Sequence, residues 1–571
     1  MSITPRRWII RPSLTTTQRA RFRDLNPIIA QVMFNRGIED FETAMDFLAG
    51  RDVLYNPMQM KGMSQAVARI RQAIRKKEKI VVYGDFDADG VTSTVLLVET
   101  LEALGARVQP YIPHRVDEGY GLNTPALEQL ASEGTNLVIT VDCGVRSIEE
   151  VQRGIEVGLD IIVTDHHSIG EVIPPALAVL NPKQTDCKYP EDMLAGVGIA
   201  FKLAEALINA ETANGRHAPG ITTSELLDLV ALGTVADLAP LDRLENRTLV
   251  QLGLKEINRA RRPGIYALLN VAGVEPGSAS AMSIGFGLGP RINAAGRLGS
   301  AMTAYELLYT RDYTEATRLA EILQELNEQR QELTQEAQDD AREHATVDGN
   351  ADLPLVFAAA PHFQSGIVGL VAGRLVEEFY RPAVVIEEGE VESRGSCRSI
   401  AEFNITEALD TCADLLLRHG GHAQAAGFTI LTENIPKFRE RLLAIAAEKL
   451  GTQKVEPTLE IDSSVPLSQI TLELAQELQG LEPTGQNNDS PVFMTERLKV
   501  VEARPVGKEG KHLKLRLAEG PTSIDGIAFR QGDWAKHMPP YIDVAYHLEI
   551  NEWRGFVKPQ LNVKDIKPAG S

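Results

Sequence analysis

Val81-Val82-Tyr83-Gly84-Asp85-Phe86-Asp87-Ala88-Asp89-Gly90 decides how this chain is read. The apolar run from Ile80 to Val82 reads as a buried strand and ends in three carboxylates at alternating positions. Gly90 interrupts it, and Val91 to Leu104 follows with helical spacing. Carboxylates at the carboxyl end of a parallel strand stand at the mouth of an open α/β sheet, where ligands bind. Three negative charges so close together repel one another unless a cation neutralises them, so the stretch predicts a metal site. A solvated acidic turn is the alternative. A calcium EF-hand is not: Asp85, Asp87, Asp89 and Gly90 match the start of that loop, but Leu96 stands where it needs a bidentate Glu, and a strand precedes it where it needs a helix.

On either side of this stretch, strand and helix patterns alternate. Ile80–Asp85, Val108–Pro113, Leu137–Asp142, Ile161–Asp165 and Ala178–Leu180 read as strands, with helices such as Thr124–Ser132 and Ile148–Val157 between them. This is the pattern of an α/β domain with a parallel, doubly wound sheet, expected over residues 61–311. Asp85, Asp142 and Asp165 close three of its strands, which aims three acidic groups at one rim. Residues 1–60 read as an N-terminal helical segment with Phe41, Ala44, Met45 and Leu48 on one face, and Trp8-Ile9-Ile10 as a first strand.

Residues 312–348 contain neither Gly nor Pro. Leu319, Leu323, Leu326, Leu333 and Ala337 recur at helical steps, predicting a long connecting helix that acts as a spacer. A smaller α/β unit is expected over 349–450: strand Leu355–Ala360, helix Ser365–Phe379, strand Ala383–Ile386, then the Gly-rich stretch around Gly420-Gly421-His422. From 455 to 571 short alternating segments take over. Val544, Tyr546, Leu548 and Ile550 alternate with polar neighbours, which predicts a C-terminal OB-like β-barrel.

Composition bounds the possibilities. The 571 residues suffice for about three or four domains. A hydrophobic content of 43% with 24% charged residues is that of globular protein, and no apolar run reaches spanning length, so no membrane role is expected. The acid-poor, Thr-rich start fits an organellar transit peptide but lacks a signal-peptide core. Cys143, Cys187, Cys397 and Cys412 form no C-x-x-C pair, which points to a reducing cytoplasm. A net charge of −20 argues against a general nucleic-acid coat, though not against a local basic groove.

Four separated stretches carry ligand-type residues: Asp85/Asp87/Asp89, Thr140-Val141-Asp142-Cys143-Gly144, Val163-Thr164-Asp165-His166-His167 and Gly233-Thr234-Val235-Ala236-Asp237. Mixed carboxylate and imidazole donors suit Mn²⁺ or Mg²⁺, with Mn²⁺ favoured once nitrogen takes part. Asp165-His166-His167 with the upstream Asp-x-Asp-x-Asp-Gly resembles the DHH phosphoesterase superfamily, and Gly420-Gly421-His422 resembles its DHHA1 domain. Length, Gly289-Pro290-Arg291-Ile292-Asn293-Ala294-Ala295-Gly296-Arg297-Leu298 and the barrel narrow the resemblance to the RecJ family of single-strand-specific 5′→3′ exonucleases.

That resemblance implies two divalent ions bridged by Asp142, with Asp87 on one and Asp89, His166 and Asp237 around the other. Asp85 belongs to the same motif, and His167 would contact the scissile phosphate. Where some superfamily members carry a His two residues before the first Asp, this chain has Tyr83, which implies a more weakly held first metal. Two metals about 3.5–4 Å apart lower the pKa of a shared water and clamp attacking and leaving oxygens, help that a negatively charged phosphodiester needs.

For the DNA end, the resemblance implies that Arg115 holds a 5′-phosphate and Tyr120 stacks on the end base, whereas composition alone favours a surface Arg and a half-buried Tyr. Ser396 and Arg398 would meet phosphates, Gly420, Gly421 and His422 would admit the strand closely, and Arg291 and Arg297 would contact phosphates or bridge domains. Lys508, Lys511, Lys514 and Arg516 with Trp553, Arg554 and Phe556 fit a single-strand groove on the barrel. Single-stranded DNA is the implied substrate, giving mononucleotides in repair and recombination, with a single-strand-binding protein and a RecQ-type helicase as implied partners. Three rivals stand beside this: a phosphodiesterase of short oligonucleotides or cyclic dinucleotides, an inactive scaffolding DHH protein, and a pyrophosphatase.

Overall fold

The computed structural model describes residues 6–115, 117–212, 220–346, 353–451, 455–553 and 555–570. They group into two compact units, Val53–Val455, and Met1–Asp52 together with Glu456–Ser571. No helix among the described residues is long and apolar enough to cross a membrane.

In the first unit five parallel strands line up in the order Arg107–Tyr111, Lys79–Tyr83, Leu137–Val141, Asp160–Thr164, Ala178–Leu180. Alternation sorts each strand between two layers: Ile80 and Val82 enter the core formed with helices Ala88–Ala103 and Gly196–Thr212, and Val81 and Tyr83 the one formed with helices Thr124–Ser132 and Ile148–Glu156. The sheet is therefore doubly wound, as expected. The chain reverses its winding beside Lys79–Tyr83, which has the next strand on one side and Leu137–Val141 on the other. The crevice at such a switch point is where open α/β sheets hold ligands. Strands end one or two residues earlier than the sequence suggests, so Asp85, Asp142 and Asp165 sit in the turns just past them.

Ala88–Ala103 is buried from Ala88 to Leu101 and behaves as a core helix. Its threonines remain satisfied because Thr92, Thr94 and Thr100 donate back to Ala88, Gly90 and Leu96 carbonyls. The long helix runs Tyr313–Thr346. It is more than a spacer: Leu319 and Leu323 lie in the core of the parallel sheet, while Ala337 and Ala341 lie in the core of the next subdomain. There a mixed sheet is ordered Leu416–His422, Ala425–Leu431, Glu392–Arg398, Ala383–Glu387, Val356–Ala360. Helix Val368–Phe379 packs on it.

The second unit is a closed barrel. Strands Phe493–Val506, His512–Glu519, Thr522–Ala528, Phe556–Pro568 and Tyr541–Trp553 follow one another, and the last pairs back to the first with Phe493 opposite Tyr546. Val544 and Tyr546 face its interior as predicted; Ala545, expected on the polar side, is also buried, against Ile461 and Met494.

The N-terminal residues are not a separate preface. Ile28, Ile29, Val32 and Met33 of helix Pro27–Asn35 share the barrel's core, and strand Arg7–Ile10 pairs in parallel with Thr458–Ile461. A short amphipathic helix gains stability from such packing rather than from its own propensity. In helix Phe41–Ala49 it is Ala44 and Phe47 that are buried, and Met45, read as part of the apolar face, is exposed.

Candidate metal centre and anion cleft

Each acidic group of the first motif is fixed by the peptide chain around it. Asp87 caps helix Ala88–Ala103, its Oδ1 accepting from the backbone N–H groups of Asp89 and Gly90 at 3.0 Å each. Asp89 sits in the first turn of that helix, and its two oxygens accept from the N–H groups of Gly196 (2.7 Å) and Val197 (2.8 Å) at the start of the Gly196–Thr212 helix. Asn293, from the Gly289–Leu298 helix, accepts from the Ala88 N–H at 2.8 Å and ties that segment to the site. Asp142 adopts φ +61°, a left-handed conformation that costs a non-glycine residue energy and turns its carboxylate back into the crevice.

Three groups of donor atoms lie within 4.8 Å of one another: Asp85, Asp87 and Asp142; Asp89, His166 and Asp237; and Asp142, His166 and His167. Asp142 is common to the first and third groups, and His166 to the second and third, so the three adjoin one another. The atoms face each other without bonding. His166 Nε2 lies 3.1 Å from Asp142 Oδ1 and 3.6 Å from Asp237 Oδ2, yet His166 Nε2, Asp142 Oδ1 and Asp85 Oδ1 are buried and make no hydrogen bond.

Electrostatics gives the same picture. Burial, reinforced by neighbouring carboxylates, holds Asp85 and Asp142 well above the usual carboxylate range, and pushes Asp89 up to about 7 and Asp237 to about 9. Burial, with the charge of His167, lowers His166 to about 3 and leaves its imidazole neutral. Unsatisfied, mutually repelling acceptors around a neutral imidazole are the donor set a hard divalent cation neutralises.

Asp165 does something different. Burial alone would raise its pKa, but His167 pulls it below the ordinary value. Its Oδ1 accepts from the His167 N–H (3.0 Å) and Nδ1 (2.7 Å), and its Oδ2 from the Val145 N–H. It orients His167 rather than offering a free ligand atom. Asn181 and Lys183 donate to the His167 and His166 carbonyls. Tyr83 points to the opposite layer, where its hydroxyl donates to the Gly121 carbonyl and accepts from Asn123.

Beside the Asp85–Asp87 end opens a cleft of about 420 Å³, whose lining includes Arg115, Arg297, Arg394, Ser396, Arg398, Arg418 and His419 and no carboxylate. Arg115 lies over the Phe86 ring, 4.6 Å from its centroid. Arg297 donates to the Gly366 carbonyl and so joins the two α/β subdomains; burial and the nearby Arg115 and Arg330 lower its pKa to about 10. Like charges crowded without acids suit a polyanion. A roomier cavity of about 710 Å³ beside Glu99, Glu102, Glu306 and Glu315 has the wrong sign for phosphate and lies at the other end of the Ala88–Ala103 helix.

Arg115, Arg297, Ser396 and Arg398 are thus brought together, and Tyr120 reaches His167 from the side. Arg291 is not among them: it donates to Gln324, Gly287 and Val271, bracing helices. Gly420, Gly421 and His422 form an exposed strand end outside the cleft lining. Arg394, Arg418 and His419 were missed. Alternation along Glu392–Arg398 already puts Arg394 on the face of Ser396 and Arg398; Arg418 and His419 carry no comparable signal. On the barrel Lys511 pairs with Glu509 and Arg516 approaches Asp525, while Phe556 is exposed. The Trp553 side chain and Arg554 lie outside the described residues.

Three family models match the chain: "DHH family, N-terminal domain" over residues 79–234, "DHHA1 domain" over 352–448 and "RecJ OB domain" over 461–565. The single-stranded-DNA-specific exonuclease RecJ of Bacillus subtilis is 40% identical over 95% of this chain and 68% of its own length. That of Dickeya dadantii is 38% identical over 95% and 96%. The crystal structure of Thermus thermophilus RecJ in complex with Mn²⁺ superposes with a TM-score of 0.84 at 33% identity, covering 99% of this chain and 80% of that one. Its Mg²⁺ complex gives 0.78 at 31%.

Proposed function

The chain belongs to the RecJ family of single-stranded-DNA-specific exonucleases, and on that premise we propose that it shortens single-stranded DNA from the 5′ end, releasing 5′-mononucleotides in repair and recombination. It is a metal-dependent hydrolase using Mn²⁺ or Mg²⁺. One observation carries the reading: the donor set around Asp142 has beside it an arginine cleft lined by no acid, whose Arg115 lies close enough to feel the charges of Asp85 and Asp87.

Asp85 and Asp87 would hold one ion, Asp89, His166 and Asp237 the other, with Asp142 shared. Bound there, two divalent ions supply a water of lowered pKa and offset the charge of the phosphodiester. The protein's own groups do the rest. Arg115, Arg297, Ser396 and Arg398 receive the 5′-terminal phosphate, which sets polarity because a 3′ end offers no such group. Tyr120 presents its ring to the terminal base. Asp165 accepts the His167 Nδ1–H and so holds the ring with Nε2–H turned to donate to the scissile phosphate. Gly420, Gly421 and His422 border the incoming strand, and Arg291 acts as a brace. The barrel binds single-stranded DNA through Lys508, Lys514 and Phe556.

The domain limits that go with this reading are 61–311 for the catalytic domain, 312–348 for the helix, 349–450 for the DHHA1 domain and 455–571 for the barrel, completed by the N-terminal segment. A single-strand-binding protein and a RecQ-type helicase acting ahead of the enzyme fit as partners in the cytoplasm. Incubation with 5′- and 3′-labelled single strands and duplex, with Mn²⁺ or with chelator, tests the whole reading. Mononucleotides should leave the 5′ end of single strands only, and only with metal; a 3′ start, or internal cuts, would refute it.

A further inference from the structure

Tyr120 lies between Gly119 and Gly121, both in the left-handed region at φ +82° and +87°. Two such turns around one residue are tolerable only for glycine, and they set the tyrosine apart from the loop that carries it. The residue is 56% exposed. It meets Phe86 and His167 edge to face, at 6.5 Å and 5.7 Å between centroids, so most of the ring stays available to a base. The hydroxyl is placed quite differently. It reaches into the crevice, 3.1 Å from His167 Nδ1 and 3.3 Å from the carbonyl oxygen of Asp142.

Stacking needs only the ring, and phenylalanine would do it as well. A hydroxyl placed among carboxylates is costly to desolvate unless it is used. The hydroxyl donates to the Asp142 carbonyl and offers a lone pair to the Nδ1–H that Asp165 also accepts at 2.7 Å.

We propose that the Tyr120 hydroxyl is a positioning group for His167: with Asp165 it grips the imidazole from two sides, so the side chain that stacks on the terminal base also sets the ring that meets the scissile phosphate. End recognition and chemistry would then share one residue. This rests on the nuclease reading above.

The test compares the full chain with Tyr120→Phe and Tyr120→Ala on a 5′-phosphorylated single strand in Mn²⁺. Tyr120→Phe should lower kcat about ten-fold, the size of one lost hydrogen bond to a group that becomes charged. Its KM, its Tm and its affinity for the strand in chelator should stay within about two-fold, or a degree or two for Tm, of the parent. Tyr120→Ala should add a rise in KM. On a strand whose first residue is abasic, the parent-to-Phe ratio in kcat should remain about ten. Parent-like kcat in Tyr120→Phe overturns the proposal and leaves the nuclease reading intact. So does a ratio that collapses on the abasic strand, or a fall in Tm that accounts for the lost activity. A parent chain that releases no nucleotides overturns both.

Discussion

Gly196 and Asp142 approach so closely that a Cβ on Gly196 would lie 2.7 Å from the Asp142 Cβ and 2.8 Å from its Oδ1. The same residue's N–H holds Asp89. One glycine at the head of a helix thus sets the distance between two carboxylates, one in a helix's first turn and one just past a strand, that are 53 residues apart in the chain.

Gly196→Ala should therefore damage the centre more than the fold. The clash costs about 1–3 kcal/mol of stability, while displacement of the carboxylates lowers kcat by about 100-fold or more. Thermal melting and Mn²⁺-dependent nucleotide release measure the two separately. Gly198→Ala is the control: the atoms nearest its Cβ would be those of the Leu194 side chain, at 3.3 Å or beyond, and activity should fall less than three-fold, a change of about 0.6 kcal/mol.

Asp142→Asn removes a charge from a crowd of buried carboxylates at a left-handed position that asparagine accepts. In chelator the variant should melt at or above the parent temperature. With Mn²⁺ at about 100 times its Kd the parent should gain about 2.7 kcal/mol and the variant clearly less. Scanning calorimetry with and without metal decides it. Equal gains would mean that Asp142 does not hold the ion.

Arg115→Ala should lose about 10- to 100-fold in kcat/KM on 5′-phosphorylated strands, as expected for charge-assisted hydrogen bonds. Its loss on 5′-hydroxyl strands should be much smaller. Arg291→Ala should instead reduce Tm, because its guanidinium braces Gly287, Val271 and Gln324, and should leave KM nearly unchanged. Steady-state kinetics on the paired substrates separates the two arginines. Equal losses for Arg115→Ala on both would show that it does not read the terminal phosphate.

Truncation after Val455 alone should produce an aggregating protein, since it strips cover from Ile28, Ile29, Val32, Met33 and Phe47. Removing residues 1–52 as well should restore a soluble Val53–Val455 chain that keeps Mn²⁺ affinity and binds single strands at least ten-fold more weakly, a loss of about 1.4 kcal/mol or more. Size exclusion and fluorescence anisotropy report both outcomes.

Much of this was legible locally. A strand ending just before Asp85, another ending before Asp142 and a third before Asp165-His166-His167 announce a parallel sheet with acids on one rim, because alternation and strand ends are written in neighbouring residues. The long helix was equally plain from its leucine spacing. Arg291 stayed open between phosphate contact and a structural bridge for the opposite reason: an arginine looks the same in sequence whether phosphates or backbone carbonyls will use its fork.

By itself the sequence determined the architecture, the order of the elements and the pool of residues from which a centre could be drawn. Only the tertiary structure decided that Asp165 orients His167 instead of offering a ligand atom. It alone joined the first 52 residues to the barrel and pressed Gly196 against Asp142. Those facts depend on sheet register and helix packing across tens to hundreds of residues, where the position of one side chain is set by contacts that no local pattern records.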